Sequence, residues 1–100
     1  MGKLITVFWR DIPSHIIFKT KSGRFKKQMS PRFEEAIDRA AMRAGKGSSE
    51  AYMADWRRDI RNIKADDPES IVDKEIELLE IMFSDDLLEK TVKSKGIKDK

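Results

Sequence analysis

The stretch Lys3-Leu4-Ile5-Thr6-Val7-Phe8-Trp9-Arg10-Asp11-Ile12-Pro13 decides the fold. Seven of its eleven residues are apolar, aromatic or β-branched, and no Gly or Pro precedes Pro13. Such a run reads as a strand that needs partners on its edges and cover on its faces. The rest of the chain is read as the material that supplies both.

Outward from that strand, Pro13 biases Ile12 toward extended geometry and cannot donate to a ladder, so residues 11–14 read as a break. His15 to Thr20 is the second strand. Ser22-Gly23 fits a tight hairpin turn, with Gly supplying positive φ. Arg24 to Met29 is the third strand, with Phe25, Lys27 and Met29 on one side and Lys26 and Gln28 on the other. Short connections make these three an antiparallel meander.

Ser30-Pro31 starts a helix, with Ser30 as cap and Pro31 pre-set for the first helical position. Phe33, Ile37, Ala40 and Ala44 give it a narrow apolar stripe, and Gly45 and Gly47 end it. Ser48 to Asp55 reads as a short second helix. The segment from Trp56 to Ile63 fits either a continuation of that helix or an edge strand. The strand is preferred over Trp56–Arg61, because helices separated by glycines can return the chain to the sheet. Asp67-Pro68-Glu69 opens another helix, whose Ile71, Val72, Ile76, Leu78, Leu79, Met82 and Phe83 make a wide apolar face. Ser84-Asp85-Asp86 breaks or kinks it before Leu87.

The expectation is an α+β fold. An antiparallel sheet of three or four strands is covered on one face by two main helices, Pro31–Ala44 and Pro68–Phe83. Residues 1–92 form a single domain and 93–100 a basic flexible tail.

Composition narrows the function classes. The chain has 100 residues, 39% of them apolar and 39% charged, which describes one small core under a large solvated surface. It has no Cys, which excludes disulfide frameworks, thiol chemistry and cysteine metal sites. No apolar run reaches the roughly 20 residues of a membrane span. Thr6, Arg10 and Asp11 interrupt the only N-terminal apolar run, so a cytoplasmic location is expected. Met1 to Thr6 matches the loose myristoylation pattern, but the same residues read as strand.

Charge is unevenly placed. Residues 19–32 hold six bases and no acid, whereas residues 66–89 hold ten acids against one Lys. The basic hairpin (Lys19, Lys21, Arg24, Lys26, Lys27 and Arg32) with Phe18 and Phe25 is a candidate grip for a polyanion. A solvated face and an acidic protein partner, or self-association, are the competing readings. Two Trp-Arg groups, Trp9-Arg10 and Trp56-Arg57-Arg58, are further binding candidates and lie beside Asp11 and Asp55. The plainer reading, core tryptophans flanked by solvent-facing arginines, is preferred there.

Catalytic signals are weak. His15 is the sole histidine, no nucleophile elbow or phosphate loop appears, and the acids near residues 66–67 and 85–86 read as helix caps. No metal and no cofactor is expected. An enzyme reading would have to assemble Arg10, Asp11, His15 and Arg39 in one pocket.

Three blocks taken together, Leu4 to Pro13, Phe33 to Gly45 and Ala51 to Arg58, resemble the small bacterial virulence factor domain family. The resemblance covers much of residues 4–58. It implies a non-enzymatic protein-interaction module, accessory to folate and corrinoid one-carbon metabolism, and it carries over no catalytic residue. A protein partner or a homo-oligomer is expected, nucleic acid is the alternative, and no membrane association is expected.

Overall fold

A computed structural model describes residues 2–45, 53–64 and 67–97. Four strands, β1 (Gly2–Trp9), β2 (Ile12–Thr20), β3 (Gly23–Gln28) and β4 (Trp56–Ile63), form one antiparallel sheet in the order β3-β2-β1-β4. Three helices, α1 (Pro31–Arg43), α2 (Pro68–Met82) and α3 (Asp85–Lys93), complete an α+β arrangement. The opening stretch is an inner strand, flanked by β2 and β4. No helix among the described residues is long and apolar enough to cross a membrane.

Two buried clusters lie between sheet and helices. Leu4, Ile16, Phe18 and Val72 make one. Trp9, Ile12, Met29 and Phe33 join α1 and α3 residues in the other, where Phe33 meets Phe83 edge-on at 5.8 Å. Edge-to-face packing fits the ring quadrupoles and adds to plain burial.

The segment from Trp56 to Ile63 is a strand. β4 pairs with β1 through eight positions, from Gly2 opposite Ile63 to Trp9 opposite Trp56, two residues further than expected. The short helix expected over 48–55 lies mostly outside the described residues. The hairpin turn shifts by one residue: Lys21 and Ser22 make it, and Gly23, at φ 148°, opens β3 opposite Thr20.

Several expectations are corrected. Pro13 does not break the second strand. Val7 stands opposite His15 but Phe8 opposite Pro13, so Ser14 is the extra residue of a β-bulge and β2 begins at Ile12. A bulge tolerates proline because its ladder is already interrupted. The turn falls instead at Arg10-Asp11, with Arg10 at φ 53°.

The wide apolar face of α2 is only half used. Val72, Ile76, Leu79 and Phe83 pack on the buried clusters, while Leu78, Ile81 and Met82 are exposed. One helix stripe meets one sheet face, and the extra apolar residues fall outside it.

Ser30 occupies the α1 cap position but makes no side-chain cap. Its hydroxyl and amide both donate to Glu80 at 3.0 Å. A buried-side carboxylate is the stronger acceptor for those donors. Asp67 and Ser84 do cap α2 and α3.

The helix does break at Ser84. Lys93 closes α3, and the chain turns back so that the Gly96 carbonyl accepts from the Asp11 amide at 2.9 Å. Gly96 lies buried against Trp9, which composition alone does not reveal.

Candidate functional site

Directly opposed residues of an antiparallel sheet share a face. The pairing therefore writes out the sheet face turned away from α2 as three rows. Arg24, Lys19, Lys3 and Asn62 form the first. Lys26, Ile17, Ile5 and Ile60 form the second, and Gln28, His15, Val7 and Arg58 the third. Five of the twelve positions are basic and none is acidic.

The floor of this face is aliphatic. Ile5, Val7 and Ile17 form a cluster of their own, packed at one end by Trp56. Lys3, Lys19, Arg24, Lys26 and Arg58 stand exposed around it. None of the five has a carboxylate within ion-pair distance among the described residues.

Six cations directed elsewhere are ion-paired, whereas others off this face, Lys64, Lys74 and Lys90 among them, have no ion pair among the described residues. Lys27 meets Asp73 at 2.6 Å, and this contact raises its pKa. Arg32 reaches Glu80 and Asp85, while Arg39 holds Glu89 at 2.8 Å and keeps that carboxyl below its usual range. Arg61 pairs with Glu75 on α2. At Glu80, burial pushes the carboxyl up, but the Ser30 and Arg32 hydrogen bonds outweigh it and hold the pKa below the ordinary value.

The basic hairpin is thus divided between two faces. Lys19, Arg24 and Lys26 remain on the open face with Arg58, Lys21 sits exposed in the turn, and Lys27 and Arg32 are spent on α2. Lys3 joins the open group although the sequence offered it no local basic neighbours. Its signal was the Lys3-Ile5-Val7 alternation, legible only once the register is known. Phe18 is buried and Phe25 packs beside it, so neither ring is presented to a base.

The two Trp-Arg groups do meet, and the plainer reading is corrected. Trp9 is opposite Trp56. Arg10 binds Asp55 at 3.2 Å and the Lys95 carbonyl at 2.8 Å, with its side chain only 19% exposed. Arg57 donates to the Arg10 carbonyl at 2.8 Å, pairs with Asp11 at 3.2 Å and lies over the Phe8 ring. Arg10 lies over Trp9 in turn. These contacts lock the Arg10-Asp11 turn to β4 and to the chain after α3. They are a brace rather than an open binding surface.

His15 sits in the third row, with Ser14 Oγ 3.1 Å from its Nδ1. Burial, then the positive fields of Lys26 and Arg58, lower its pKa below 6.5. Burial is the larger cause, and the two cations add to it. Arg58, His15 and Val7 also line a recess of about 370 Å³ with Met53, Trp56 and Arg57. Arg39 lies with α3 on the other side, and Arg10 and Asp11 are bound into the brace, so the grouping required for an enzyme is not assembled. Among the described residues no group of three or more His, Asp or Glu is placed to hold a metal.

Fold and surface together define a small α+β module with a helix-backed sheet and a basic open face. The sequence profile of the family described as "Virulence factor" matches residues 7–92, so the chain belongs to the virulence factor family. No curated protein and no solved structure gives a significant match.

Proposed function

We propose that the protein is a non-enzymatic binding module that docks an acidic protein surface on the open face of its sheet. One observation carries this reading: the open face gathers five bases and no acid, and none of the five has an ion pair among the described residues. Unpaired like charges gathered on one face steer oppositely charged partners and set association rates. The aliphatic floor of Ile5, Val7, Ile17 and Ile60 suits protein more than nucleic acid, since the half-buried His15 is the only ring in the three rows for a base to stack on. On the family resemblance, the module is read as an accessory protein of folate- or corrinoid-dependent one-carbon metabolism.

Fluorescence anisotropy with a labelled polyglutamate peptide tests the reading. A Lys26→Glu/Arg58→Glu variant should bind about tenfold or more weaker, the equivalent of about 1.4 kcal/mol. Lys27→Glu, on the helix side, should leave binding nearly unchanged. Equal losses from the two variants would overturn the assignment to this face. Tighter binding to single-stranded DNA of equal charge would favour nucleic acid.

A further inference from the structure

We propose that the outer edge of β4 pairs with the same edge of a second copy, joining two sheets antiparallel with Ile60 opposite Ile60. β4 closes the sheet on one side, runs eight residues without a bulge, and is exposed from Arg57 to Asn62. The helices pack against β2 and β3 instead. A regular, proline-free edge is a template for another strand unless something covers it.

Backbone geometry limits how it can pair. The Arg10 amide donates to the Asp55 carbonyl at 3.0 Å, which makes these two a hydrogen-bonded pair. Alternation along an antiparallel ladder then turns the amides and carbonyls of Arg57, Asp59 and Arg61 toward β1. Those of Arg58, Ile60 and Asn62 point outward. A second β4 must therefore set outward residues opposite outward residues.

Charge selects among the twofold registers that remain. Centring on Arg58 or Arg61 opposes two arginines, and centring on Asp59 opposes two aspartates. Centring on Ile60 opposes no like charges and pairs Arg57 to Ile63, whereas centring on Asn62, which also opposes none, pairs only the last residues of the strand. The Ile60 register places Asp59 of each copy against Arg61 of the other, and Arg58 against Asn62. Arg61 already meets Glu75 within its own chain, and a guanidinium has donors enough for both carboxylates. Ile60, 53% exposed in the monomer, is covered by its own counterpart. The twofold axis stands perpendicular to the sheet, so both basic faces point the same way.

Sedimentation equilibrium on the full chain should give twice the 11.6 kDa chain mass. Ile60→Pro removes only an outward amide, so it should return the mass to one chain with an unchanged circular dichroism spectrum. Because the chain has no Cys, single cysteines report the register cleanly. Ile60→Cys should oxidise to a covalent dimer. Asp59→Cys should do so only when mixed with Arg61→Cys. A monomeric wild-type protein, a dimer that survives Ile60→Pro, or Asp59→Cys linking to itself as readily as Ile60→Cys would each overturn the proposal. These outcomes are independent of acid binding at the open face.

Discussion

Arg10 is, with Lys95, one of two non-glycine residues at positive φ in the described chain. Its φ of 53° is a conformation that a non-glycine residue adopts at a cost of about 1–2 kcal/mol. The Asp55 ion pair, the Lys95 carbonyl and the Arg57 brace over-determine it. Arg10→Ala should lower stability in urea by about 1–3 kcal/mol. Arg10→Gly should recover about 1 kcal/mol of that loss, by freeing the backbone. Gly96 is the matching constraint on the other side of the brace. A Cβ there would stand 2.7 Å from the Trp9 ring, at a φ of 89°. Gly96→Ala should therefore cost about 1–3 kcal/mol, read as a fall in the urea midpoint. His15 adds a pH dependence. Its folded pKa lies below 6.5, so the unfolded chain binds the proton more readily. The stability tied to neutral His15 is fully present above 6.5 and is lost as pH falls through the folded value. His15→Gln should flatten the melting temperature between pH 7 and about pH 5.5, leaving the lower-pH loss from Glu80 in place.

At the scale of elements, the sheet faces do different work. The buried cluster at the Trp9 end of the sheet packs Phe33 and Phe83 with Trp9 and Ile12, and here truncation is expensive. Phe33→Ala should cost about 3–5 kcal/mol. Leu78→Ala, on the outward side of α2, should stay within about 0.5 kcal/mol. Chemical denaturation of the two variants checks the contrast. The bulge at Ser14 is the device that lets a proline-containing strand continue, since its carbonyl accepts from the Met29 amide at 3.0 Å and ties β2 to the entry of α1. β4 is ordered chiefly by its pairing with β1, so alternation rather than the helical spacing of Trp56, Ile60 and Ile63 sets its faces. Alternation places Ile60 beside Ile5 on the open face, and Arg61 toward Glu75 on the helix face.

Across the whole molecule, the charge asymmetry of the sequence becomes a partition between faces. The acidic α2 and α3 neutralise Lys27, Arg32, Arg39 and Arg61, and leave the opposite sheet face positive. Strand runs, helix starts at proline and the family blocks were legible because each depends on neighbours in sequence. The face assignment was not, because whether Lys26 or Lys27 meets an acid depends on register and on the placement of α2. The bulge and the Gly96 contact were hidden for the same reason: both depend on residues distant in the chain. The most direct test uses the single imidazole as a probe of the open face. NMR of the His15 ring during titration with a hexaglutamate peptide should show a saturable shift. Its pKa should rise back toward 6.5 as carboxylates offset Lys26 and Arg58, and both effects should vanish in Lys26→Glu/Arg58→Glu. A His15 resonance and pKa that stay unchanged while the peptide binds would contradict docking on this face.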